Sequence, residues 1–127
     1  MKYDKYIDRQ CVPLCDAINT IDGLKTQASC CGHNKRSFQV FFGAKSVISL
    51  YILCRVINKN YGYLWNWKVE ATCVDRSEKR DLDVLFMLSS ENIIGRKAYN
   101  QSKKIADQIY SFLHNKRLVK TLRVGIS

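Results

Sequence analysis

Five consecutive residues, Ser29-Cys30-Cys31-Gly32-His33, hold the most specific chemistry in this chain, and four uses are open to them. The first is a metal site built from Cys30, Cys31 and His33, with Cys11 and Cys15 as further ligands. Zinc sites usually separate paired cysteines by about two to four residues, so that both thiolates reach one ion. Adjacent cysteines point apart in most backbones, and no C-x-x-C pair is present. The second use is a thiolate nucleophile at Cys30 or Cys31, activated by His33. It needs an orienting group for the base, and the other histidine, His114, stands in a basic stretch far along the chain.

The third use is a ligand-binding turn. Successive backbone N–H groups of Ser29, Cys30, Cys31 and Gly32 could form a concave cradle for phosphate or carboxylate. Gly32 would permit the backbone angles, or the close ligand approach, that such a cradle requires. Thr26 and Ser29 add hydroxyls, and His33, Lys35 and Arg36 add positive charge. The fourth use is purely structural, a tight connection with half-buried thiols. Spacing disfavours the metal cage and the missing partner disfavours the nucleophile, so the expectation is a binding turn with no metal, no catalytic residue and no cofactor. Away from the turn, Tyr61 and Tyr63 could stack on bases. Arg96 and Lys97 could meet an anion beside a helix start.

The elements that must position these groups follow from periodicity. Apolar residues from Ile7 to Ile21 recur at spacings of three and four, which predicts a helix over 7–22. Its regular part begins near Val12, because Pro13 suits a first turn. Gly23 stops it. Residues 26–36 read as the loop leaving that helix, and 37–43 as a strand. Residues 46–58 read as a helix capped by Ser46, with Val47, Leu50, Tyr51 and Cys54 as its apolar stripe. Trp65, Trp67, Val69, Ala71 and Cys73 alternate with polar residues, which predicts a half-buried strand over 65–74. A charged hairpin, DRSEKRD, leads to a strand over 82–88. SSEN at 89–92 then reads as a helix start, with Ser90 or Asn92 as cap and Glu91 in the first turn. The helix runs to about Asn115 with Ile94, Ala98, Ile105, Ile109 and Phe112 inside. The tail LVKTLRVGI reads as a possible edge strand. The expected class is α+β, one domain over 1–127, with a mainly antiparallel open sheet, helices packed on it, and the order α-β-α-β-β-α.

Bulk composition sets the wider bounds. A chain of 127 residues with 46% apolar and 25% charged content is that of an ordinary globular domain. No apolar run is long enough to span a membrane. MKYDKYIDRQ lacks a signal-peptide core, so a cytoplasmic location and reduced thiols are expected. The charge of +10 is uneven: residues 96–127 hold eight basic residues and one acid, a net +7. That asymmetry suits an anionic partner, a nucleotide or nucleic acid, although a solvated helix face would look the same.

The frame Leu14, Ile18-Asn19, Gly23-Leu24, Thr26, Ser29-Cys30-Cys31-Gly32-His33, followed by an apolar strand, resembles a group of short, mostly uncharacterised phage and Firmicute-type proteins with an S-C-C-G-H turn. It is more remotely similar, over roughly residues 10–75, to the wybutosine-synthesising tRNA methyltransferase family. That family carries Ser where this chain has Cys31 and Arg where it has His33, and no further motif recreates its S-adenosylmethionine site. The resemblance implies a ligand-facing turn in a phage- or mobile-element-related binding protein, located in the host cytoplasm if phage-encoded, with counter-defence as a role it suggests. Two rival functions follow: an S-adenosylmethionine-dependent RNA methyltransferase-like enzyme, and a protein–protein interaction module or homo-oligomer.

Overall fold

The computed structural model describes residues 8–74 and 83–126, and the DRSEKRD connection falls outside them. Its architecture is α+β. A 3-10 turn at Arg9–Cys11 leads into α1 (Val12–Asn19), with Pro13 in the first turn as its missing N–H requires. Then follow β1 (Leu24–Cys30), a second 3-10 turn at Gly32–Asn34, β2 (Ser37–Ala44), α2 (Val47–Lys59), the single turn α3 (Tyr61–Leu64), β3 (Lys68–Val74), β4 (Asp83–Ile94) and α4 (Gly95–Ile126). The four strands form one antiparallel sheet in the order β1-β2-β4-β3.

Alternate residues of β2 divide the sheet into an inner and an outer face. Phe38, Val40 and Phe42 are fully buried, whereas Gln39, Phe41 and Gly43 are half-buried. Helix α1 packs on β1 and α4, and α4 also crosses β2 and β4. The inner layer gathers Leu14 and Ile18 from α1, Leu53 and Val56 from α2, and Ala98, Ile105 and Ile109 from α4. Trp67 closes one end: its ring lies 5.8 Å from that of Phe38, and its indole N–H donates to Gln101 Oε1 at 2.8 Å.

Five local expectations are corrected. The first part of the expected loop, residues 26–30, belongs instead to edge strand β1, so the order becomes α-β-β-α-β-β-α with the four-residue α3 added. The stripe expected on α2 lies on the wrong side. Val47 and Tyr51 are 81% and 53% exposed, while Ser49, Leu53, Val56 and Ile57 are buried. Ser46 does cap this helix, its hydroxyl accepting the Ser49 N–H at 3.3 Å. Trp65 precedes β3 and is exposed, and Ala71 is exposed as well, so the inward parity holds only in part.

The fourth correction concerns SSEN, which caps nothing. It belongs to β4. Ser37 faces Ile94 and Gln39 faces Ser89, so residues 90–93 bulge opposite Phe38 alone. Ser90, fully buried, accepts the Phe38 N–H at 2.9 Å and donates to the Ile93 carbonyl at 2.6 Å. Glu91 turns the bulge with φ of 55°. Helix α4 therefore begins at Gly95, leaving Ile94 in the strand and 44% exposed. The segment expected as an edge strand is the last part of α4.

Candidate functional site

The SCCGH turn is anchored from two sides. On one side, Asn19 at the end of α1 reaches β1. Its Nδ2 donates to Thr26 Oγ1 and its Oδ1 accepts the Thr26 N–H, both at 2.9 Å. On the other, Asp8 reaches the turn itself. The Asp8 N–H donates to Ser29 Oγ at 3.1 Å, Oδ1 accepts the Gln10 N–H at 3.1 Å, and Oδ2 accepts the Cys31 N–H at 3.4 Å. Burial would raise the Asp8 carboxyl, but these backbone donors and the Cys31 thiol outweigh it and hold the group below the ordinary carboxylate range.

The chain then turns through three consecutive left-handed residues, Gly32, His33 and Asn34, with φ of 83°, 51° and 65°. Only the first is a glycine, so two residues with Cβ atoms are held in a region that costs about 1–2 kcal/mol each. Local bonds hold them there. Gly32 N–H donates to Cys30 Sγ at 3.4 Å, and the N–H groups of Lys35 and Arg36 donate to the Gly32 carbonyl at 2.9 and 3.0 Å. The main-chain donors that would form an anion cradle are thus directed inward. What the turn leaves on the surface is the side chains of His33, Lys35 and Arg36.

Of the predicted site residues, Thr26 and Ser29 point into the protein, where both border the Cys15 thiol and Ser29 also borders Cys11. Cys30 is half-buried and Cys31 is 8% exposed. His33, Lys35 and Arg36 are exposed. The pairing of Ser37 with Ile94 sets Arg36 beside Gly95, and a Cβ on Gly95 would lie 3.4 Å from Asn34 Oδ1. The exposed Arg96 and Lys97 follow directly on Gly95 at the start of α4. Tyr63 lies elsewhere. Its ring is 5.2 Å from Lys104 Nζ, nine residues beyond Gly95, or about 13 Å along the helix at ~1.5 Å per residue. The Tyr61 side chain lies outside the described residues.

Asp8 is the residue that sequence reasoning missed. Its carboxylate, Cys31 Sγ and one ring nitrogen of His33 all lie within 4.8 Å of one another, with Sγ 3.9 Å from His33 Nδ1. Burial raises the Cys31 thiol; the His33 N–H lowers it in part, and the Asp8 carboxylate raises it again, so the net direction is upward, away from a thiolate. Cys11, Cys15, Cys30, Cys31 and Cys54 are free thiols. Among the described residues, no helix is long and apolar enough to cross a membrane. No family model matches the chain, and no curated protein or solved structure is significantly similar to it.

Proposed function

We propose that this protein binds an anionic, phosphate-bearing ligand, a nucleotide or a short stretch of nucleic acid, at the rim of the left-handed turn. One observation carries the reading: the β2–β4 register sets Arg36 beside Gly95, so the exposed Lys35 and Arg36 and the exposed Arg96 and Lys97 are carried on neighbouring segments where a long helix starts. Two arginines in such a cluster suit the bidentate geometry of phosphate, and the helix start adds a favourable partial charge. The resemblance to phage-type proteins with the same turn supports a non-enzymatic role, with sequestration of a signalling nucleotide as one form it could take. Calorimetric titration of the full chain with adenosine triphosphate, a single-stranded oligoribonucleotide and S-adenosylmethionine tests it. The first two bind, and Arg36→Glu with Arg96→Glu weakens them about tenfold or more, a loss of roughly 1.4 kcal/mol. Binding of S-adenosylmethionine alone would favour the methyltransferase-like reading instead, and no response to the double variant would sink the proposal.

A second reading, a protein-interaction module, has its own observation. Val47, Ile48 and Tyr51 are 81%, 75% and 53% exposed on one face at the start of α2. It predicts concentration-dependent association in sedimentation that Tyr51→Asp abolishes.

A further inference from the structure

We infer that Asp8, Cys31 and His33 form a site for one divalent transition metal of the zinc class, independent of the phosphate reading. Three observations converge. The donor set is one thiol, one imidazole and one carboxylate, each a recognised zinc ligand, and three protein ligands with one open position is the arrangement of reactive rather than purely structural zinc. The three donor atoms already lie within 4.8 Å of one another although they come from two segments of the chain. Ligands about 2.0–2.3 Å from a tetrahedral ion stand somewhat closer together than that, so the exposed His33 ring would move inward to complete the set.

The backbone supplies the third observation. Two positions apart, Cys31 and His33 meet where the chain doubles back between them. Here it does so through Gly32 at φ 83° and His33 at φ 51°. A Cβ on Gly32 would stand 2.9 Å from the Ser37 carbonyl oxygen, so the turn lies close against the start of β2. Strain held at a non-glycine residue clusters at ligand sites. Asp8 is oriented by its own hydrogen bonds to Gln10 and Cys31, and a carboxylate with two acceptor positions filled keeps others for a cation. Supporting bonds of this kind fix the orientation of metal ligands.

On binding, the Cys31 thiol would release its proton to solvent and ligate as thiolate, His33 would ligate as neutral imidazole, and Asp8 as carboxylate. The fourth position would face solvent on the His33 side and take water or an oxygen of a ligand. Soft and borderline donors of this type disfavour magnesium and calcium, which take all-oxygen cages.

The test uses cobalt(II) as a spectroscopic substitute, titrated into chelator-treated full-length protein under reducing conditions. One equivalent should produce visible bands of a tetrahedral ion and a thiolate-to-cobalt charge-transfer band, and zinc should displace both. Cys31→Ser should abolish the charge-transfer band. His33→Asn, chosen because asparagine tolerates a left-handed backbone, and Asp8→Asn should weaken binding by more than the roughly 10–100-fold that loss of a supporting hydrogen bond costs. Cys30→Ser should leave the spectrum intact. Circular dichroism of each variant separates loss of ligation from loss of fold, and His33→Asn keeps the test decisive if Asp8→Asn unfolds. Absence of stoichiometric binding, or a charge-transfer band that survives Cys31→Ser, overturns the inference. Retained metal binding in Arg36→Glu with Arg96→Glu shows that the two sites stand or fall separately.

Discussion

At the scale of single residues, burial has divided the cysteines by reactivity. Cys11 and Cys15 are fully enclosed between α1 and β1. Burial pushes the Cys15 thiol up to about 11, with only partial relief from the Ser29 and Thr26 hydroxyls, and pushes Cys11 up as well. Both should resist iodoacetamide at neutral pH in the native protein while half-buried Cys30 is alkylated, as mass spectrometry of the modified peptides would reveal. The same shift links stability to pH. A thiol whose folded pKa is raised keeps its proton in the native state after the unfolded chain has lost it. The Cys15 contribution is therefore intact below about 9, the ordinary thiol value, and declines until pH passes about 11. Each pH unit in that window removes at most about 1.4 kcal/mol. Denaturation midpoints across this range should fall, and Cys15→Ala should flatten the fall. Gly32 makes the opposite point about binding experiments. Gly32→Ala meets both a left-handed φ and a backbone oxygen at 2.9 Å. It should cost at least about 1 kcal/mol in urea unfolding, whether or not any ligand touches the turn.

At the scale of elements, the β4 bulge sets where α4 begins and hence where Arg96 and Lys97 stand. Its pin is Ser90, which satisfies the Phe38 N–H and the Ile93 carbonyl at once. Ser90→Ala leaves both buried groups without this partner and should cost about 1–3 kcal/mol. Hydrogen exchange at the Phe38 amide should accelerate in that variant, and unchanged exchange would mean the bulge is held by something else. None of this was legible in SSEN, which carries the residue types of a helix cap. Those types also satisfy backbone groups at a bulge, and choosing between the two uses depends on a partner strand fifty residues earlier. Strand β1 was hidden for a related reason: Leu24, Thr26 and Ala28 alternate with Lys25 and Gln27, but small and polar residues on an edge give a weak signal. On α2 the misreading arose because Val47, Ile48 and Tyr51 are as apolar as a core face yet lie outside it. What periodicity did deliver was α1, the inner residues of β2 and the α4 face around Ile105 and Ile109, where burial dictates the pattern. The turn stood out as a candidate from its residue types. Its partner Asp8 was not, being 23 residues from Cys31 and joined to it only by tertiary folding.

At the scale of the whole molecule, a charge of +10 draws any polyanion toward the surface, so affinity alone does not locate a site. The exposed lysines of α4 separate a general field from a local cluster. Lys103 and Lys104 stand farther along the helix, their ammonium groups 5.4 and 5.2 Å from the Tyr99 and Tyr63 ring centres. Replacing both by glutamate changes the net charge by the same amount as Arg36→Glu with Arg96→Glu. If the overall field dominates, the two double variants should weaken oligoribonucleotide binding equally. If the cluster around the turn is the site, the arginine pair should weaken it about tenfold more. Salt gives an independent measure, because each phosphate neutralised on a single strand contributes about −0.7 to the slope of log K against log salt. Four cations, Lys35, Arg36, Arg96 and Lys97, then give a slope of roughly −3. The arginine variant should reduce that slope to about half, while the lysine variant should leave it near its original value, since its charges touch no phosphate. Equal slopes in both variants would place the contacts somewhere other than the turn.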